Sequence, residues 1–384
     1  MRFGFSLILI VFMVVLLSSC ARGQKPVQPA AEPIKAPAPV ETRQDWQIQW
    51  DNTLAGAKKE GKVTLYAAYG LADARDIFIE TVRKKFGLDL EVTVARGPQL
   101  SAKLTTERNA GLYLADVYMG GQSDIVASIF PAKIPDPIEP GLILPEIKDS
   151  NAWLGGKIPI WDKERRVFSS LAQIGSRTAI NTTMAKPEDI AAYNDIINPK
   201  WKGKIAMTDP TISGSGGSWV FLAGRLMGTD YVKEVVKQEP FITRDSRLLS
   251  EWLARGKYAV GLGIDTSATK TFIELGAPLY LVPRFKEGME LRGSSGHVFF
   301  ISKAPHPNGA RLFVNWILSK DGQTVLSRAN GVASRRVDVP TDHLEEWQIP
   351  DIKAKYYSGE TEEAQAEEIK AMELSRELFA PLLK

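Results

Sequence analysis

Residues 62–121 switch repeatedly between β-rich and amphipathic runs, and no other feature narrows the fold as much. KVTLYAAYG (62–70) is dense in β-formers and ends at Gly. ADARDIFIETVRKKFG (72–87) carries apolar residues at helical spacing and also stops at Gly. LEVTVARG (90–97), QLSAKLTTERNAG (99–111) and ADVYMGG (115–121) read as strand, helix and strand. Such alternation within about sixty residues predicts a parallel, doubly wound sheet. A further helix over 45–59 precedes it.

Residues 131–162 are Pro-rich and lack a period, which predicts a long surface excursion, and RRVFSSLAQIG (165–175) is extended. The alternation then restarts. GKIAMTDP (203–210), KYAVGLGI (257–264) and PLYLVP (278–283) read as strands. SWVFLAGRLMG (218–228), RDSRLLSEWLARG (244–256) and TSATKTFIELG (266–276) read as helices. GHVFFIS (296–302) is extended, and NGARLFVNWILS (308–319) is an amphipathic helix. The expected fold is therefore α/β, with two doubly wound sheets in two lobes. Lobe I would take 45–165 plus 296–340, and lobe II 166–295. Extended segments near 165–175 and 296–302 would be the hinges. The polar, Glu-rich tail (341–384), helical over about 361–379, is expected on the outside of one lobe. Ligands of open α/β sheets bind beyond the carboxyl ends of strands, so two such units facing each other make a cleft.

The totals fit this picture. Among 384 residues, 48 are basic and 45 acidic, for a net charge of +3. No Lys/Arg stripe marks a nucleic-acid surface. The only cysteine is Cys20, so the fold stands on its core without disulfides.

Arg2 and the apolar run Phe5–Leu17, too short to span a bilayer as a helix, fit a secretory leader. The run ends in Leu17-Ser18-Ser19-Cys20, which resembles the bacterial lipoprotein processing box. That resemblance implies cleavage before Cys20 and lipidation of it, with residues 1–19 as signal peptide. Residues 20–44 would be a tether: five prolines fall between Pro26 and Pro39. A polyproline-like spacer of this length reaches roughly 70 Å.

WKGKIAMTDPTISGSG (201–216), ELGAPLYLVP (274–283), HPNGARLFVNWILSKDGQ (306–323) and TERNAGLYLADV (106–117) together resemble the solute-binding proteins of bacterial ABC importers. The nearest branch is the one that includes the ferric-iron-binding proteins. The resemblance implies a type II periplasmic-binding-protein fold, hinge closure around one small solute, and delivery to a membrane permease. It also implies a monomer without a cofactor. A sensory relative that hands its closed form to a signalling kinase would have much the same sequence, and neighbouring genes would separate the two.

The site candidates follow from the strand ends. In SGSGGS (213–218), small residues precede a helix, where unpaired N–H groups and the helix dipole favour an anion. Ser213, Gly214, Ser215, Gly216 and Ser218 are therefore candidates for binding a phosphate, phosphonate or carboxylate. The same helix start serves equally as a plain N-cap. Tyr66 and Tyr69 end the first strand and Arg96 the second; Gly120, Gly121 and Gln122 follow the third. Asp265 precedes a helix, where capping alone accounts for it. Relatives that bind ferric ion use neighbouring tyrosines of the second lobe. The corresponding IDTSATKTFIELG (264–276) has none, so the expected solute is a small anion or a metal chelate, with bare iron as the alternative. No nucleophile motif, P-loop or zinc motif is present, and no catalysis is expected.

Overall fold

The computed structural model describes residues 44–384 except 213, 355, 358 and 384. Cys20, the leader and nearly all of the tether lie outside the described residues, as does Ser213.

The described chain opens with α1 (Asp45–Glu60) and β1 (Lys62–Ala68), followed by α2 (Arg75–Phe86), β2 (Asp89–Ala95), α3 (Gly97–Asn109) and β3 (Val117–Gly120). β1 pairs in parallel with β2 on one side and β3 on the other. After the excursion come β4 (Phe168–Ser169) and β5 (Leu171–Gly175), then β6 (Thr178–Asn181) and β7 (Ile205–Thr208). Next are α4 (Ser215–Met227), α5 (Thr229–Lys237), β8 (Phe241–Thr243), α6 (Ser246–Ala254), β9 (Val260–Leu262), α7 (Thr266–Glu274) and β10 (Leu279–Val282). β11 (Met289–Arg292) and β12 (His297–Phe300) lead to α8 (Pro307–Leu318), α9 (Lys320–Asn330) and β13 (Ala333–Ser334). β14 (Tyr356–Tyr357) and α10 (Glu362–Phe379) end the chain.

Two five-stranded sheets result, ordered β2-β1-β3-β12-β4 and β8-β7-β9-β6-β10. Their designs match. In each, three parallel strands are followed by an antiparallel one, β12 or β6, that arrives from the other half of the molecule. A smaller sheet, β13-β5-β11-β14, lies along the crossings, and its antiparallel pair β5 and β11 carries the chain between halves. The second hinge strand is thus β11 rather than 296–302, which forms β12 inside the first sheet. The sequence conceals β11 because Glu290 and Arg292, two of its four residues, are charged.

Each large sheet has its own core. In the first, Phe78 of α2 meets Trp316 of α8 edge-on at 6.1 Å, and both are buried. In the second, Tyr193, Trp219 and Phe285 pack together, and Phe379 from the tail joins them with no exposed surface. The tail helix is largely exposed and packs on the second half, but its end reaches into that half's core. The tail pairs with β11 through β14, then lays α10 along α4.

Candidate functional site

The carboxyl ends of β3 in the first sheet and of β7 in the second lead into segments that line a crevice of about 570 Å³. Gly121 and Gln122 line it from the first half; Gly214, Ser215 and Ser218 line it from the second. α4 starts at Ser215, three residues earlier than its apolar run, so Ser215 and Ser218 lie in its first turn. That turn can sit so close to the sheet because two glycines meet there. A side chain on Gly216 would run into the Thr208 carbonyl, and one on Gly263, whose φ is +62°, into Gly216 itself. Gly216 thus serves packing and does not line the crevice.

Several other candidates lie elsewhere. Tyr66 points sideways from β1 into a buried cluster, where its hydroxyl donates to Glu107 at 2.8 Å. Burial, with Glu107 accepting that proton, raises the phenol's pKa. Tyr69 is in the single turn Tyr69–Leu71 that closes β1. Arg96 is exposed and caps α3, its N–H donating to Gln99 Oε1 at 3.2 Å. Gly120 is buried; its carbonyl faces His297 Nδ1 at 3.1 Å, and a side chain there would meet the Tyr118 ring. Asp265 does not line this crevice; it caps α7 by accepting from the Ala268 N–H at 2.9 Å and lines a smaller space with Arg177, Glu290 and Arg292.

The strongest charges in the crevice come from the crossing strands, which the sequence reading did not single out. Arg177 follows β5 in the left-handed region (φ 51°), and Arg292 ends β11. Glu290 lies between them, 2.5 Å from Arg292 Nε and 3.5 Å from Arg177 Nε. Each guanidinium keeps about a quarter of its side chain exposed, at 25% and 29%. Burial, with Arg292 alongside, pulls Arg177 down to about 10, still fully charged at neutral pH. Burial also opposes the charge on Arg292, but Glu290, together with Glu368 and Glu360, outweighs it and holds that arginine more firmly protonated than usual.

The tail supplies a further side of the crevice. Gln122 Nε2 donates to the Gly359 carbonyl at 3.0 Å. Glu360 is buried against Arg335 (2.5 Å), the Ser169 hydroxyl (3.0 Å), His297 Nε2 (3.2 Å) and the Gly293 N–H. Although burial works to raise its pKa, Arg335 and then His297 hold it at about 2. From the second half, the Ser218 hydroxyl donates to Glu368 at 3.1 Å. The clue available in the sequence was RGSSGH (292–297), a second Gly/Ser turn flanked by a cation and a histidine. Nothing local signals that Glu360, distant in sequence, would dock on it. Among the described residues, no cluster of His, Cys, Asp and Glu could hold a metal ion, and no helix is long and apolar enough to cross a membrane.

Two α/β halves joined by crossing strands, with a charged crevice between them, define a binding protein that closes on a solute. Residues 63–331 match the model of the bacterial extracellular solute-binding protein family, and the chain belongs to that family. Its members are binding proteins for transport, so this is a solute-binding protein of the ABC-importer kind and not an enzyme. An uncharacterised protein of Haemophilus influenzae is 27% identical over 281 residues, covering 70% of this chain and 75% of its own length. Among solved structures, the periplasmic binding protein AfuA of Actinobacillus pleuropneumoniae, with fructose-6-phosphate bound, superposes with a TM-score of 0.60 at 21% identity. The match covers 83% of this chain and 99% of that one. The Trichodesmium protein IdiA (FutA), in complex with iron and citrate, gives 0.61 at 18% identity over 84% and 99% of the two chains. Ferric iron-binding protein A of Mannheimia haemolytica, in an open conformation, gives 0.63 at 14% identity over 83% and 98%. These likenesses confirm the two-lobed type II fold.

Proposed function

We propose that the protein captures a small organic anion, bearing a phosphate, phosphonate or carboxylate, between its two halves and delivers it to a permease. One observation carries this reading: two guanidinium groups, Arg177 and Arg292, face the crevice from either side of Glu290, each about a quarter exposed. In such a partly enclosed space a charge-assisted hydrogen bond from either guanidinium to an anion gains more than it does in water. The start of α4 at Ser215 adds N–H donors and the positive end of a helix dipole to the same space. Fructose-6-phosphate in the A. pleuropneumoniae relative is an anion of this class. A bare ferric ion would find no cluster of His, Cys, Asp and Glu to hold it among the described residues, whereas a carboxylate chelate of iron offers an anionic group to the arginines.

Closure is by bending at β5 and β11, with the lobes divided much as 45–165 plus 296–340 and 166–295, except that β4 (Phe168–Ser169) belongs to the first sheet and stays with the first lobe. The solute bridges both halves, binds the closed form better, and shifts the population toward it. The chain is exported and held to a membrane through a lipid on Cys20, a reading supported by LSSC directly after the apolar leader. Cys20→Ala should move the protein from the membrane fraction to the soluble one; retention on the membrane overturns the anchor.

A thermal-shift screen of phosphonates, sugar phosphates, dicarboxylates, thiamine and ferric citrate tests the ligand class. A true solute at a hundredfold excess over its Kd stabilises the fold by about 2.7 kcal/mol. Stabilisation by ferric ion alone, or by uncharged compounds only, would overturn the anion reading.

A further inference from the structure

The crevice is not lined by charged and polar groups alone. Val126 and Ala127 from the first half, and Ile369 and Met372 from α10, add apolar side chains to its lining. Ile369 stands out because α10 is rich in Glu, yet this large apolar residue lines the crevice and is 57% exposed. Ile369 and Met372 are three residues apart, hence on one helical face. The helix that carries them is fixed at both ends. Glu360 docks on Arg335 and Ser169 before it, and Phe379 is fully buried in the second core at its close.

We propose that α10 supplies an apolar wall of the solute site, and that the solute is an anion bearing an apolar ring or chain. The inference rests on the anion reading above and narrows it. An inorganic ion or a bare metal would leave Ile369 and Met372 in water, whereas an organic body lying between them and Val126 removes all four from it. A volume of about 570 Å³ is in the range of sites for small organic molecules and far exceeds what one phosphate fills. Glu368, on the same face of α10, contributes to the field at Arg292, so a second negative group on the solute would meet repulsion there.

The test is titration calorimetry of the full-length chain with phenyl phosphate, fructose 6-phosphate and inorganic phosphate, repeated on Ile369→Asn and Ile369→Leu. The side chain is mostly exposed, so both variants should fold, which a melting curve checks. Phenyl phosphate should bind at least tenfold more tightly than inorganic phosphate. Ile369→Asn should cut that advantage threefold or more while leaving inorganic phosphate unchanged, and Ile369→Leu should preserve it. Tighter binding of fructose 6-phosphate than of phenyl phosphate, or equal loss for all three probes in Ile369→Asn, overturns the apolar wall while the anion reading stands. Failure of all three to bind the unmodified chain overturns both.

Discussion

Replacing Glu360 by Gln tests whether the tail is clipped to the first half as the structure shows. The substitution keeps the shape and removes the charge that Arg335 and His297 face. The carboxyl's pKa falls from 4.5 to about 2 on folding. At about 1.36 kcal/mol per pH unit, that depression is linked to about 3 kcal/mol of stability. Little of it is lost to solvent screening, because the Glu360 side chain is 1% exposed. The sign follows from the direction of the shift. The contribution is complete above the unfolded value near 4.5 and disappears as pH falls through the folded value near 2. At a chain length like this one, 3 kcal/mol corresponds to a melting point lower by roughly 5 °C. Melting of the parent and of Glu360→Gln between pH 7 and pH 2.5, with hydrogen exchange followed over residues 356–379, reads both quantities. The variant should melt several degrees lower at pH 7 and exchange faster in the tail, and the two curves should converge toward pH 2.5. A difference that is absent at pH 7, or constant down to pH 2.5, would refute the argument, since neither fits a carboxylate held by Arg335 and His297.

Three further outcomes follow from the same packing. Phe379→Ala should destabilise the fold by about 3–5 kcal/mol in urea unfolding, because the ring is wholly buried in the second core; a change within the surface range of about 0.5 kcal/mol would place the ring in solvent. Gly216→Ala forces the start of α4 away from Thr208 and should cost about 1–3 kcal/mol as well as weaken solute binding; an unaltered melting curve would show that the close approach does not exist. Arg292→Met should weaken binding of whichever organic anion stabilises the protein by about 10- to 100-fold, the worth of one charge-assisted hydrogen bond, as read by calorimetry; unchanged affinity would remove Arg292 from the site.

The two sheets were legible because their parallel strands alternate with helices over runs long enough to show a period. β1, β3, β7 and β9 fall within segments read as strands, and β2 begins one residue before its segment. β6, β8 and β11 lie outside those segments, and β11 is half charged. In the SGSGGS turn, Gly214, Ser215 and Ser218 line the crevice, and the sequence could single them out because a glycine-rich helix entry is a local device. Tyr66 misled because a residue two before a strand's end can face either side of the sheet, and here it faces Glu107. Arg177, Arg292 and Glu360 were illegible for another reason. Each looks like an ordinary surface charge in its own segment, and only the crossing of β5 and β11 and the return of the tail bring them together.

The central claim is that an organic anion is gripped between the halves by the Arg177–Arg292 pair. The most direct test is a crystal structure of the protein with the tightest-binding organic phosphate or carboxylate. Its anionic group should lie within hydrogen-bonding distance of both guanidinium groups and near the first turn of α4. An anion seated on the outer surface, with Arg177 and Arg292 touching only Glu290 and water, would contradict the account.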